Sequence, residues 1–112
     1  MNSRVAEFVV DASNTGSNAV GGGRIVLDCA GLNSATVQAE QEGVNAWSTG
    51  VLTVYRANRI TDGTFFALET ATTLTADGIT AGLDVSAFRY LIVAVTTAQS
   101  GLTVRVTLYA QE

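Results

Sequence analysis

The sequence predicts an all-β protein, built as an antiparallel β-sandwich or a barrel in a single domain. Short runs of β-branched and aromatic residues with period-two alternation recur along the chain, which is typical of strands. Helix signals are nearly absent. The segments between the runs are rich in Gly, Asn, Asp and Ser, and the 112-residue chain contains no proline. Short strands at such close spacing indicate a sandwich or a barrel.

Three strands are predicted in the first half of the chain. RVAEFVVD (4–11) alternates with period two and has one mostly apolar face, and RIVLD (24–28) is a shorter run. SATVQAE (34–40) places its alanines and its valine on one face. The stretch 37–47 leaves a helix open as an alternative, because AEQE has good helix propensity. Gly43 interrupts that pattern, so we favour a strand followed by a loop.

The second half contains the clearest strands. VLTVYRA (51–57) is followed by shorter runs, and the chain closes with RYLIVAVTTA (89–98) and LTVRVTLYAQ (102–111). The last run alternates without interruption, as a half-buried antiparallel strand does. Shorter strands are predicted at 65–68, 72–76 and 79–85. The linker Gln99-Ser100-Gly101 has a length that predicts a hairpin with glycine in a left-handed conformation.

Both closing strands are long and almost uncharged. Such a strand at a sheet edge would pair with another chain, so we expect each to be central in its sheet or covered by another subunit. We therefore predict a homo-oligomer, a dimer or a trimer, or a place in a larger shell. A monomer whose sheet is closed enough to hide these strands is the alternative.

Two Asp-Gly pairs, Asp62-Gly63 and Asp77-Gly78, lie between predicted strands. An Asp-Gly pair can bind an ion, but no repeated Asp or Asn with a terminal Glu surrounds either pair, as a calcium loop requires. We interpret the first pair as part of a loop between antiparallel strands. The second pair predicts a tight hairpin turn.

The charge pattern excludes several classes of partner. Charged residues make up only 14% of the chain, and the net charge is −4. All six cations are scattered arginines, so neutralisation of nucleic-acid phosphates is not expected. The longest apolar stretch, Leu91–Val95, is too short to span a bilayer, so no membrane is expected. The start MNSR leads into no long apolar run, so we expect synthesis in a cytoplasm without a signal peptide.

The residue types available argue against catalysis. Without histidine there is no Ser-His-Asp arrangement and no His-ligated metal, and nothing in the sequence brings a pair of carboxylates together. We predict no enzyme activity, no cofactor and no metal. The one cysteine, Cys29, follows an apolar strand. Burial as a small hydrophobe is favoured there over a reactive thiol.

Two loops and the N-terminal residues are the candidate contact segments. SNTGSNAVGGG (13–23) is interpreted as a long inter-strand loop and not as a flexible linker. Its glycines lack the Lys-Ser/Thr of a phosphate loop. Residues 1–4 are a candidate N-terminal arm. Trp47, in NAWSTG, is assigned to the core or to an interface, and stacking on a sugar is the alternative.

The second half of the chain resembles small β-sandwich proteins of tailed-phage virions. The resemblance is carried by VLTVYRANRITDGTFFAL, by TTLTADGITAGLDVSAFRYLIVAVTTA and by the closing strand LTVRVTLYA, within residues 50–110. It implies a jelly-roll-like fold and a structural, non-enzymatic role of the kind that head decoration or cement proteins have. It implies no catalytic residue and no ligand-binding residue.

The leading hypothesis is therefore a protein that decorates and stabilises a phage head, bound to the major capsid protein or to another virion protein. A tail, collar or fibre-base protein of similar fold is the first alternative. A carbohydrate-binding module, with Trp47, Tyr55 or Tyr109 as stacking platforms, is the second. The candidate interface residues are Arg4, Val20, Trp47, Arg59, Arg105 and Tyr109.

Overall fold

The structure is a computed structural model that describes residues 2–15, 24–59 and 69–112. Within these ranges the chain forms nine strands and no helix, and so has no helix that could cross a membrane. The strands are β1 (Ser3–Asp11), β2 (Arg24–Asp28), β3 (Ser34–Glu42), β4 (Val51–Ala57), β5 (Glu69–Leu74), β6 (Gly78–Ile79), β7 (Leu83–Asp84), β8 (Tyr90–Thr97) and β9 (Thr103–Gln111).

These strands form two antiparallel sheets. The first has the order β1-β9-β3-β6, with β7 also paired to β3, and the second has the order β2-β8-β4-β5. The pairings are nested: β1 pairs with β9, β2 with β8, β3 with β6 and β7, and β4 with β5. If β6 and β7 are counted as one interrupted strand, this is an eight-stranded jelly roll. The all-β, jelly-roll-like sandwich is confirmed.

The core fills the space between the two sheets. In β9 the even-numbered side chains from Val104 to Ala110 are fully buried, and Ala35, Val37 and Ala39 of β3 lie beside them. In β8 all residues from Leu91 to Val95 are buried, on both faces of the strand. That continuous burial explains why β8 is an unbroken apolar run, whereas β9 alternates.

Both long closing strands are central. β9 lies between β1 and β3, and β8 lies between β2 and β4. The structure thus realises the first of the two arrangements expected for uncharged strands. Neither closing strand offers an edge to another chain.

Two predicted hairpins are wrong. β8 and β9 belong to different sheets, so Gln99-Ser100-Gly101 carries the chain from one sheet to the other. Asp77-Gly78 likewise connects β5 of the second sheet to β6 of the first. The Asp77 carboxylate accepts a hydrogen bond from the backbone N–H of Gln41 at 2.8 Å. Turn residues mark a reversal of the chain, but they do not determine which strand is paired after it.

Other boundaries are partly revised. The predicted strand at 79–85 is interrupted after Ile79 and resumes at Leu83, and both pieces pair with β3. The 37–47 stretch is the end of β3 followed by a loop, as favoured. The predicted strand at 65–68 and the Asp62-Gly63 pair lie outside the described residues, but the flanking β4 and β5 are antiparallel neighbours. The predicted 13–23 loop is described only as far as Thr15.

Ser3 and Arg4 do not form a free N-terminal arm. β1 begins at Ser3, which lies opposite Gln111, and Arg4 lies opposite Ala110. The Arg4 guanidinium also donates a hydrogen bond to the Asp28 carbonyl oxygen at 2.7 Å. The start of β1 is therefore part of the sandwich.

Cys29 is a free, fully buried thiol, as predicted. Its Sγ lies 3.7 Å from the carbonyl oxygen of Phe88. Burial raises the pKa of the Cys29 thiol, and the Asp28 carboxylate adds to that rise. Because the thiolate is the reactive form, we expect no labelling of native protein by a thiol reagent at pH 8 and stoichiometric labelling in denaturant. Rapid labelling of the native protein would show this assignment to be wrong.

Gly101 is the position where the inter-sheet connection requires glycine. Its φ is 76°, and an added Cβ would lie 2.6 Å from Nδ2 of Asn45, which donates a hydrogen bond to the Gly101 carbonyl oxygen. We expect Gly101→Ala to lower the free energy of unfolding by about 1–2 kcal/mol or more, measured by denaturant titration. Gly82→Ala is the matched control, because an added Cβ there meets nothing within 4 Å. Equal stability of the two variants would contradict the prediction.

Candidate interaction surface

The side of the first sheet that faces away from the core is the candidate surface, and we call it the outer face. Its centre is formed by the outward side chains of β9, among them Arg105 and Tyr109. Val5 of β1 lies opposite Tyr109, and Val9 lies opposite Arg105. On the other side, β6 places Ile79 beside Gln38 of β3.

Large apolar side chains are exposed on the outer face. The exposed fraction is 67% for Val5, 54% for Val9, 62% for Ile79 and 38% for Tyr109. Exposed apolar residues scattered singly are ordinary on a protein surface. Here four of them share one face of one sheet, and Val5 lies directly opposite Tyr109, so this face is the candidate for a contact surface.

Arg105 organises the centre of this face. Its Nε donates a hydrogen bond to Oε1 of Glu42 at 2.5 Å, and its NH1 donates to Oε1 of Glu7. These two carboxylates raise the pKa of Arg105, so the guanidinium remains charged. The Arg105 side chain thus links β9 to both of its neighbours, β1 and β3, in addition to the backbone hydrogen bonds between these strands.

The outer face is acidic. Arg105 is the one cation that the described strands place on it, against the carboxylates of Glu7, Asp11, Glu40, Glu42 and Asp84. Hydrogen bonds from Ser13 lower the pKa of Asp11, and those from Ser86 lower the pKa of Asp84. Both carboxylates therefore stay ionised at neutral pH, and the negative charge persists.

β1 forms one border of the outer face and has no strand on its far side among the described residues. Its remaining exposed apolar side chain is Phe8, 44% exposed, which points toward the second sheet at the open side of the sandwich. Ala6 and Val10 share that side with Phe8 and pack against the core.

The predicted interface residues do not form one site. The structure brings Arg105 and Tyr109 together on the outer face, whereas Arg4 contacts Asp28 on the other side of β1. Arg59 follows β4 of the second sheet. Val20 lies outside the described residues.

Trp47 is fixed at the end of the sandwich. Its ring packs against the core, and its Nε1 donates a hydrogen bond to the Gly50 carbonyl oxygen at 2.6 Å. The indole N–H is therefore already paired, and a large part of the ring is covered. This arrangement agrees with the assignment to the core and not with a sugar-stacking platform.

The loop that carries Trp47 is held by Gln99. Oε1 of Gln99 accepts hydrogen bonds from the amides of Ser48, Thr49 and Gly50, at 2.7, 2.9 and 3.1 Å. Its Nε2 donates to the Ala46 carbonyl oxygen at 2.7 Å. One side chain thus supplies the partners for four backbone groups of one loop, a structural role that was not predicted.

Sequence reasoning missed the exposed apolar residues Val5, Val9 and Ile79. A signal was present for β1, because RVAEFVVD carries valines on both of its faces, whereas a half-buried strand needs only one apolar face. No such signal existed for Ile79, which is exposed because β6 is short and lies at the sheet edge.

The described residues contain no cluster of three or more His, Cys, Asp or Glu side chains that could hold a metal ion. The Asp side chains near turns make local hydrogen bonds, as Asp84 does with Ser86. The outer face presents exposed apolar side chains and carboxylates, which makes it the candidate surface for contact with another molecule.

Comparison with known proteins adds a likeness of fold. No family model and no curated protein matches the sequence. Among solved structures, the crystal structure of the SPBc2 prophage-derived protein YomS is similar, with a TM-score of 0.57 and 8% sequence identity. The match covers 97% of this chain and 96% of that one. The two chains thus share an architecture over their whole length.

Proposed function

We propose that this chain is a structural phage protein, and more specifically a capsid decoration protein that stabilises a phage head by bridging subunits of the shell. The observation that carries the proposal is the outer face, where apolar and acidic side chains are presented on a rigid sheet. A docking protein needs a contact surface of this kind and needs no catalytic group.

The fold likeness supports a phage origin. The matched protein is described as prophage-derived, and the likeness extends over nearly all of both chains. Jelly rolls also occur among viral capsid domains. The resemblance of residues 50–110 to small virion proteins points in the same direction.

The mechanism is stabilisation by preferential binding. A protein that binds the assembled shell and not the separate subunits shifts the equilibrium toward assembly by mass action. The sandwich suits this role because β1, β9 and β3 form a continuous sheet with unbroken register, so little conformational entropy is lost on docking. Many symmetric copies on one shell repeat the effect at every contact.

The charge of the outer face defines its partner. Carboxylates outnumber the single arginine, so the complementary shell surface is basic with apolar patches. Association should therefore weaken as salt is raised, because exposed charges are screened within about 8 Å at physiological ionic strength.

The experiment that tests this proposal determines which part of a purified virion contains the chain. Virions are purified from an induced culture of cells that carry the coding sequence, heads and tails are separated, and each fraction is analysed by peptide mass spectrometry. We expect the chain in the heads, and we expect heads stripped of it to dissociate at a lower temperature until it is added back. Absence from all particles would contradict the virion proposal. Presence in tails alone would replace decoration by a tail or collar role.

Substitutions on the outer face test whether this face is the surface that binds the phage head. Tyr109→Ser and Ile79→Ser should each weaken rebinding to stripped heads several-fold. Val44→Ser is the matched control, because Val44 is 97% exposed but belongs to the loop after β3 and not to the outer face. Equal binding by all three variants would exclude the outer face as the docking surface. Retention of the protein on polysaccharide resins would favour the carbohydrate-binding alternative.

A further inference from the structure

The sheet edges of this protein are protected to very different degrees. At the edges of the second sheet, β2 has five residues, and the pairing of β5 with β4 contains a bulge at Val54/Tyr55. One edge of the first sheet is divided between β6 and β7, of two residues each. Short strands and bulges are devices that prevent pairing with other chains. The remaining edge, β1, has nine residues in continuous register with β9.

The outward backbone groups of β1 can be identified. The amide of Ala12 donates to the Leu102 carbonyl oxygen, and the amide of Glu112 donates to that of Asn2. Both bonds join directly opposed residues in the β1–β9 register, so the even-numbered residues of β1 direct their N–H and C=O toward β9. The odd-numbered residues, Ser3 to Asp11, direct theirs toward the other side of β1, where the described part of the chain places no strand.

β1 lacks most of the features that prevent pairing at a sheet edge, although Arg4 and Asp11 carry charges near its two ends. The strand has no proline, no lysine and no bulge, and the residues around its middle, Val5 to Val10, include one charge, Glu7. Glu7 is already paired with Arg105 of the same chain. Val5, Phe8 and Val9 are exposed, although they are apolar. A long strand of this kind is a template for addition of another strand.

We propose that β1 pairs antiparallel with β1 of a second copy of this chain, about a two-fold axis at Phe8, so that the two first sheets form one continuous sheet. Pairing about Phe8 places Val5 opposite the partner's Asp11 and Glu7 opposite the partner's Val9. These odd-numbered residues then supply about eight inter-chain backbone hydrogen bonds, two for each of the four opposed pairs.

The register follows from charge and ring contact. An axis at Glu7 would place two carboxylates directly opposite each other, which is destabilising. An axis at Phe8 places two phenyl rings together as a non-hydrogen-bonded pair, the closer type of cross-strand pair, and covers side chains that are now 44% exposed. A two-fold contact of a surface with itself is also the commonest symmetry of soluble oligomers.

Edge pairing keeps the two outer faces side by side, and each remains accessible. Face-to-face packing would bring two acidic surfaces together, and their charges would repel each other. The proposal does not depend on the proposed virion function, because its test uses the isolated protein in solution. A monomer would leave the virion proposal intact, and absence from particles would leave the dimer intact.

The first experiment measures mass against concentration by sedimentation equilibrium. The expected mass is twice that of a single chain, as for a two-fold dimer. The Val9→Glu variant should fold normally, because the new carboxylate lies opposite Arg105 of the same chain. In the proposed dimer, however, that carboxylate also lies opposite the partner's Glu7. We expect Val9→Glu to raise the dimer Kd about tenfold relative to Val9→Lys, which places a lysine there instead. Ile79→Glu, on the same face at the other side of the sheet, is the control and should leave the Kd unchanged.

The second experiment determines the register by disulfide formation. Phe8→Cys places two thiols at a non-hydrogen-bonded pair, where Cα atoms about 4.5 Å apart can be bridged, so we expect a covalent dimer under mild oxidation. Glu7→Cys is the control and should not form one, and the buried Cys29 does not compete. Circular dichroism shows whether each variant is folded. A monomer at all concentrations, dissociation by Ile79→Glu but not by Val9→Glu, or bridging only through Glu7→Cys would each overturn the proposal.

Discussion

Leu108→Ala should lower the free energy of unfolding by about 2–5 kcal/mol, because Leu108 is fully buried in the middle of β9. The substitution removes packing between the two sheets at a position flanked by β1 and β3, so the cavity has little freedom to collapse. A loss of this size corresponds to a fall in Tm of about 10–20 °C for a domain of this length. Denaturant titration and a thermal scan measure it.

The neighbouring residue supplies the control. Tyr109 points to the outer face, and surface substitutions of this kind have small effects on folding. Tyr109→Ala should therefore change the free energy of unfolding by roughly 0.5 kcal/mol at most. The pair separates two roles within one strand, because we expect the first variant to affect folding and the second to affect only the proposed binding by the outer face. If Tyr109→Ala were as destabilising as Leu108→Ala, the assignment of the two faces of β9 would be wrong.

Gln99→Ala should lower the free energy of unfolding by about 2–4 kcal/mol, since a single hydrogen bond contributes roughly 1 kcal/mol. The Gln99 side chain makes four hydrogen bonds to the backbone of the 46–50 loop. Alanine leaves three consecutive amides without their acceptor and releases the loop that seats Trp47 against the core. Trp47 fluorescence should therefore shift to longer wavelength in the folded variant, since the ring becomes hydrated.

Ser100→Ala is the control for Gln99, because Ser100 is exposed and adjacent in the same connection. It should leave both stability and fluorescence unchanged. Equal effects of the two substitutions would mean that the connection, and not the Gln99 side chain, holds the loop. Unchanged fluorescence in a destabilised Gln99→Ala would show that Trp47 is held by its own contacts alone.

Local alternation predicted the strands better than it predicted their pairing. β3 and β9 were predicted nearly to their ends because a half-buried strand repeats every two residues, as the buried Val37 and Leu108 show. The hairpins at Gly101 and Gly78 were wrong because a turn residue reports the backbone conformation at one place. Sheet order in a jelly roll depends on contacts between residues far apart in the chain, such as Val5 and Tyr109.

The candidate surface could be predicted only in part, because alternation within one strand is visible in the sequence and the neighbours of that strand in the sheet are not. The alternation of β9 was enough to place Arg105 and Tyr109 on one face. The other residues of that face are placed there by the pairing of β9 with its neighbouring strands. They are Glu7 and Val9 of β1 and Glu42 of β3. No sequence spacing brings residues 7, 42 and 105 together. Only the sheet order does so.

The place of β9 at the middle of the first sheet has a consequence for synthesis of the protein. β1 leaves the ribosome before β9, which is its only strand partner among the described residues. The first sheet therefore cannot close until β9 has been made, and until then β1 has no strand paired to either of its edges. Non-local pairing of this kind is slow and leaves apolar strands exposed in the nascent chain. Shielding of residues 3–11 by a ribosome-associated chaperone would then matter most in the interval before residue 111 emerges.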